Sequence, residues 1–328
     1  MHTSDPASSS PNRLDSLRVT LNRFQQNHGA LAFSYAVIKK YGDDEAGNEG
    51  VLLTYYGFLS LFPLLVVALS VAQLTVLHGV HLASRVTSVL NHYFPLFGSQ
   101  LAHNIHVQHK ATIALVVSAV VTLYGARGVA MALQQVTNHV WEVPRQQRSG
   151  SWRAIARSLS IIVVGGAGFI LAEALSTAAA GLGQSLLVRV LAVIISMLII
   201  FAAVIMTINL SLSPKRPLKD LVFGSLLATI GFQIIQSVGG FIVSRELHKL
   251  SSLYGSFALV IGIIFWIYLL SRILLYAMEA NTVRQFHLWP RSLDSHDLTP
   301  ADKQAMRLYA EREQMVSDAS EDITVTFR

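Results

Sequence analysis

Of 328 residues, 52% are hydrophobic and only 13% are charged, about half the charged share of a soluble globular domain. The formal net charge is +6 and cysteine is absent, so disulfides, thiolate metal sites and thiol nucleophiles are excluded. Apolar runs of about 20 residues recur between short polar stretches, which argues for a polytopic membrane protein and against a soluble enzyme with buried core helices.

The start of the chain, "MHTSDPASSSPNRLDSLRV", is polar and lacks the apolar centre of a cleavable signal peptide. The mature chain is therefore expected to begin at Met1, and the first span to direct insertion. From Arg13 to Tyr41 the residues Leu31, Phe33, Tyr35, Val37 and Ile38 follow helix-like spacing and are succeeded by Lys39 and Lys40. This pattern predicts a helix on the membrane surface with its lysines toward lipid headgroups. After the connector "GDDEAGNEG", spans are predicted near 51–77, 111–133, 155–179, 186–212, 218–243 and 253–279. The fold class is all-α: an N-terminal segment over 1–49 with the interfacial helix, a six-helix transmembrane domain over 50–281, and a polar tail over 282–328.

Six spans place both termini on one side. That side would carry Arg13, Arg18, Arg23, Lys39, Lys40, Arg145, Arg148, Arg153, Arg157, Lys215, Arg216 and Lys219, and most of the basic residues after Arg284. The opposite face would carry Arg85, Lys110, Arg245 and Lys249, with Arg189 close to it. Lysine and arginine are retained in the cytoplasm during insertion, so both termini are predicted to be cytoplasmic. The same bias accounts for the basic balance without a nucleic-acid partner. The external stretch 78–110 shows amphipathic helical spacing around Leu82, Val86, Val89, Leu90 and Tyr93, as expected for short interfacial helices. In the tail, Thr299 can cap a helix that opens with Pro300 and has Asp302 in its first turn. That helix is polar and is expected to be solvated.

Few residues could carry chemistry. No phosphate loop, nucleophile elbow or zinc-protease helix occurs, no cofactor is implied, and no enzyme is expected. His103, His106 and His109 recur every three residues, a step of about 300° on a helix, which converges poorly on one metal ion.

Polar residues within spans are more informative, because each is costly in hydrocarbon. Glu173 and Arg189 could pair across the third and fourth spans, as a structural lock or at an outward vestibule. Arg272 and Glu279 share a face of the sixth span, and Gln233 and Gln236 share one on the fifth. Arg127, in "YGARG", is flanked by glycines and is the leading candidate for an anionic headgroup. In the first span Tyr56 and Ser60 lie one turn apart, and Pro63 leaves the carbonyl of Leu59 without its helical donor. A kinked, polar-striped helix of this kind suits the wall of a cavity.

Four stretches carry a resemblance: "LTYYGFLSLFPLL", "ALQQVTNHVWEV", "SPKRPLKDLVFGSLLAT" and "LYGSFALVIGIIFWIYLLSRILLYAMEAN". In this order, covering most of 50–281, they resemble the YihY/virulence factor BrkB family of bacterial inner-membrane proteins, once labelled ribonuclease BN. One departure is Ala277-Met278-Glu279, where the family often shows Gly-Ala-Glu. The resemblance implies six helices in the cytoplasmic membrane and an association with envelope integrity and movement of lipid-like molecules. It assigns no catalytic residue, and the sequence offers no carboxylate or histidine cluster for metal-assisted phosphodiester hydrolysis.

The expectation is a permease or flippase-like protein for an amphipathic anion. Arg127, Arg272, Glu279, Tyr56, Ser60, Gln233 and Gln236 would contact the substrate, with Pro63, Glu173 and Arg189 structural or gating. Anionic membrane lipids are the expected partners, with envelope proteins as possible others. The rival expectation is an envelope scaffold acting through its tails.

Overall fold

The computed structural model describes residues 13–76, 111–148, 151–181, 186–254, 257–294, 297–315 and 323–327, and no strand occurs among them. The external stretch 78–110, with the three histidines, lies outside the described residues.

The amphipathic N-terminal segment forms two helices, α1 (Arg13–Asn27) and α2 (Gly29–Asp43), separated at His28, whose backbone is extended. Six long helices follow: α3 (Ala46–Val76), α4 (Ala111–Val140), α5 (Ser151–Gly181), α6 (Leu186–Ser211), α7 (Leu218–Tyr254) and α8 (Phe257–Gln285). A last helix, α9 (Pro300–Arg312), starts as the sequence predicts. Thr299 accepts from the Asp302 backbone N–H, and the Asp302 carboxylate accepts from the Thr299 N–H, a complete capping box.

Over the described residues, four helices are long and apolar enough to cross a membrane, falling within α5, α6, α7 and α8. The predicted spans near 51–77 and 111–133 fall on α3 and α4, of 31 and 30 residues. Neither is among those four, so six crossings are not established by length and composition. The shortest of the six long helices has 26 residues, about 39 Å at 1.5 Å per residue, against a hydrocarbon core of about 30 Å.

The six helices pack as a ring in chain order, α3 on α4, α4 on α5 and onward to α8, which returns to α3. Helix α6 carries Leu186, Val190, Ile194 and Leu198 exposed along one stripe, four-residue steps that give it a continuous apolar outer face suited to lipid.

Small residues set the ring's closest approaches. A Cβ on Gly128 would lie 2.6 Å from the Tyr56 ring, and one on Gly125 would lie 3.0 Å from the Ser60 Cα. Tyr56 and Ser60 therefore face α4 directly. Gly224 plays the same part between α7 and α8, where an added Cβ would lie 2.8 Å from the Ala277 carbonyl, so the close approach comes from the neighbouring helix. Gly128→Val is expected to push α3 from α4 and cost about 1–3 kcal/mol. Unfolding in mild detergent checks this; an unchanged transition would show that Tyr56 swings aside freely.

Two expectations about the polar segments are corrected. Helix α2 does not turn its lysines to headgroups: it buries Ala32, Ala36, Val37, Lys40 and Tyr41 against the bundle, and Lys40 is fully buried. Three acidic side chains surround that lysine, and two of them accept its hydrogen bonds, which is what makes its burial tolerable. Helix α9 is not solvated all round either, because Ala301, Asp302, Ala305 and Arg312 are buried. Ala305 joins Ala36, Val37, Val283 and Leu288 in an apolar cluster that fixes α9 to α2 and α8.

Candidate functional site: a charged junction beside an arginine-lined cleft

The end of the bundle that carries both terminal helices is built from the ends of α4 and α8, the turns after α4 and α6, and helices α2 and α9. Its centre is Lys40. The ammonium donates to the Asp44 carboxylate, to Glu142 Oε1 at 2.9 Å and to the Val140 carbonyl at 3.1 Å. Glu279 Oε2 lies 3.1 Å away. Arg312 enters from α9, with Nη1 at 2.9 Å from Asp44 and 3.1 Å from Glu142. Burial alone would lower the Lys40 pKa, but Glu279, Asp44 and Glu142 around it raise it well above the ordinary value. Burial pushes Glu142 up, against the pull of Lys40.

Glu142 is placed by strain. It follows α4 with φ at +53°, and the Val143 N–H returns to the Asn138 carbonyl at 2.9 Å. This is the left-handed position at a helix end that glycine usually fills. A glutamate is retained where its carboxylate meets both Lys40 and Arg312, so the backbone cost is offset by the ionic contacts.

A second cluster holds the tail. Asp302 receives Arg291 Nε at 2.5 Å, Lys39 Nζ at 3.0 Å and the Ser292 N–H at 2.8 Å. Arg291 also reaches Asp43 at 2.8 Å. Burial would raise the Asp302 pKa, but hydrogen bonds from Ser292, Arg291, Thr299 and Lys39 prevail and hold it down to about 2. Tyr309 links the clusters, its hydroxyl 3.2 Å from Asp43 and its ring beneath Lys40.

Next to the junction opens a cleft of about 670 Å³, lined by Arg145, Arg148, Arg157 and Glu49 among others. Amides that tie helices together form part of its wall. Gln134 donates to Ser158 Oγ at 2.9 Å, and Asn138 donates to the Ser211 carbonyl at 2.9 Å while accepting from the Ser213 N–H at 2.8 Å. Arg148 and Arg157 spend part of their hydrogen-bonding capacity on the Val143 and Leu212 carbonyls, and Arg145 pairs with Glu313 at 2.7 Å. In the wall, burial and the nearby Arg312 push His139 down to about 4. Its 3.6 Å approach to Glu49 is thus no ion pair at neutral pH. The three arginines and two glutamates of the lining leave a positive excess, which favours an anion.

The residues singled out from sequence occupy several places, and none of them lines this cleft. Glu279 is in the buried junction. Arg272, seven residues earlier, sits apart from it among the rings of Tyr41, Tyr268 and Tyr276, at 5.5 to 5.7 Å from their centres. Arg127 is exposed on α4, turned from the face that meets Tyr56 and Ser60. Gln233 and Gln236 are partly buried on α7. Helix α3 continues through Pro63, whose side chain, like that of Glu173, lies outside the described residues, and Arg189 is exposed near the start of α6.

Sequence reasoning missed Lys40, Asp44, Glu142 and Arg312 as one site. A signal existed for the first, since Lys40 falls on the stripe of Ala32 and Ala36 at four-residue steps.

A family model described as Virulence factor BrkB matches residues 37–297. The UPF0761 membrane protein PsycPRwf_0630 of Psychrobacter sp. (strain PRwf-1) is 23% identical over 277 residues, covering 78% of this chain and 48% of that protein. This chain thus spans about half the length of the Psychrobacter relative. The inner membrane protein YhjD of Escherichia coli (strain K12) is 24% identical over 319 residues, covering 89% of this chain and 92% of that protein. No solved structure matches the chain. The matched stretch contains Lys40, Asp44, Glu142 and Glu279, whereas Arg312 lies beyond it. With a match that runs through α3 to α8, the chain belongs to the virulence factor BrkB family.

Proposed function

We propose that this protein is a multi-pass protein of the bacterial inner membrane that binds and moves an amphipathic anion, a lipid or similar envelope component, without covalent catalysis. The observation that carries the reading is the cleft of about 670 Å³ with Arg145, Arg148 and Arg157 in its wall at one end of an apolar bundle. A charged headgroup held there would leave its acyl chains free to lie along the exposed apolar faces of the helices. Lysine and arginine placement supports a cytoplasmic location for this end, from which the headgroup would be taken from the inner leaflet. The inner membrane location draws on the name of the YhjD relative.

Mass spectrometry of lipids that accompany the protein in mild detergent tests this reading. Arg148→Gln combined with Arg157→Gln is expected to reduce an enriched anionic lipid by roughly tenfold, as for loss of one or two charge-assisted contacts. The same lipid profile in the variant and the native protein, matching bulk membrane, would overturn the assignment of this cleft.

A further inference from the structure

The two charge clusters differ in their balance. Around Asp302, two bases, Arg291 and Lys39, face two acids, Asp43 and Asp302. Around Lys40, three acids, Asp44, Glu142 and Glu279, face two bases, Lys40 and Arg312. In the second cluster the side chains of Lys40, Asp44, Glu142 and Glu279 are 0% exposed. With every group ionised, one negative charge would stand uncompensated where water does not reach, a strongly unfavourable arrangement.

Hydrogen bonds locate the excess. An ammonium has three hydrogens, and Lys40 directs them to Asp44, Glu142 and the Val140 carbonyl. Arg312 donates to Asp44 as well and lies 3.1 Å from Glu142 Oε2 as an ion pair, so Asp44 and Glu142 each accept at least one hydrogen bond. Glu279 approaches Lys40 at 3.1 Å, yet neither of its oxygens receives a hydrogen bond. The groups facing it are Lys40 from α2, Asp44 just after it and Glu142 from the turn after α4, and behind them Arg312 and Tyr309 of α9 meet Asp44, Glu142 and Lys40. Glu49 of α3 and His139 of α4 lie to the cleft side, and Arg272 is two turns away on α8 itself.

We propose that this cluster is a proton-binding site, holding one proton at neutral pH on the Glu279 carboxyl and releasing it to water as the pH rises. The bound form is neutral: two cations, two carboxylates and one carboxylic acid. A proton needs no cavity, so it suits an enclosed cluster better than a metal ion would. Release breaks the Glu279 O–H bond and leaves a carboxylate on α8 with no hydrogen-bond donor, so the attachment of α2 and α9 to α8 weakens at high pH. This site stands whether or not the cleft binds a lipid.

Infrared difference spectroscopy on the full chain, titrated from neutral to alkaline pH, reads the proton directly. A carboxylic-acid carbonyl band that shifts in D2O and disappears on titration is expected in the native protein. It should be lost in Glu279→Gln and retained in Glu49→Gln. The thermal midpoint should fall with rising pH in the native protein and stay flat in Glu279→Gln. No such band in the folded native protein, or an undiminished band in Glu279→Gln, would overturn the proposal. If Glu279→Gln does not fold, the native titration decides alone.

Discussion

Lys40→Met is expected to destabilise the protein by about 3–5 kcal/mol, the range for breaking a buried ion pair by removing one partner. The methionine retains most of the volume, so the loss reports charge rather than a cavity. Asp44 and Glu142 would keep only Arg312 as cation, and Glu279 would lose the one it has beside it. Trp141, 1% exposed and one residue from Glu142, gives a fluorescence signal for the unfolding transition. Adding Glu142→Gln to Lys40→Met should restore part of the loss, because Arg312 then faces Asp44 alone. A shift below about 1 kcal/mol, the range of an exposed pair, would mean that water enters the junction.

Arg291→Met is expected to release α9 while leaving the ring of helices intact. The Arg291 and Asp302 side chains are 2% and 0% exposed, so leaving Asp302 with Lys39 as its one cation, and Asp43 without Arg291, costs about 3 kcal/mol locally. The ties that remain are Arg312 at the junction and the apolar contact through Ala305. Trypsin should then cut at Lys303 or Arg307 at least tenfold faster than in the native protein, with no change in cleavage elsewhere in the chain. Acid should act in the same direction. Asp302 is held down to about 2 from an ordinary 3.8, so its contribution is complete above the ordinary value and is lost as the pH falls through the folded one. Equal cleavage rates for native and variant protein would show that the Arg312 ion pairs and the apolar cluster hold the helix without Arg291.

Helices were legible in the sequence because apolar runs of about 20 residues leave few alternatives in lipid. The start of α9 was legible for a local reason: Thr299, Pro300 and Asp302 satisfy the capping rules within four residues. The junction was not. Lys40 meets Asp44 at a separation of 4 but Glu142 at 102, and Arg312 meets Asp44 at 268, so no local pattern announces the site. Reading Lys39 and Lys40 as headgroup contacts followed from charge alone and overlooked that Lys40 shares the face of Ala32 and Ala36. Arg272 and Glu279 were read together because they share a helix face, yet seven residues are about 10 Å along the axis, and other elements pack against each. Tyr56 and Ser60 form a stripe, as expected, but Gly125 and Gly128 bring α4 against it. The cleft was invisible because Arg145, Arg148 and Arg157 gain their meaning only from the amides and the tail residue Glu313 across from them.

Because the ring closes in chain order, its last contact, α8 on α3, forms only after all six long helices have been synthesised. Of the five junction residues, Lys40 and Asp44 leave the ribosome first, Glu142 later, and Glu279 and Arg312 last. A nascent chain therefore carries Lys40 with only its local partner Asp44 until Glu142, Glu279 and Arg312 follow. A chain halted before Arg312 retains Lys40 as the only cation of the five-residue cluster. The junction is thus among the last parts of the bundle to assemble.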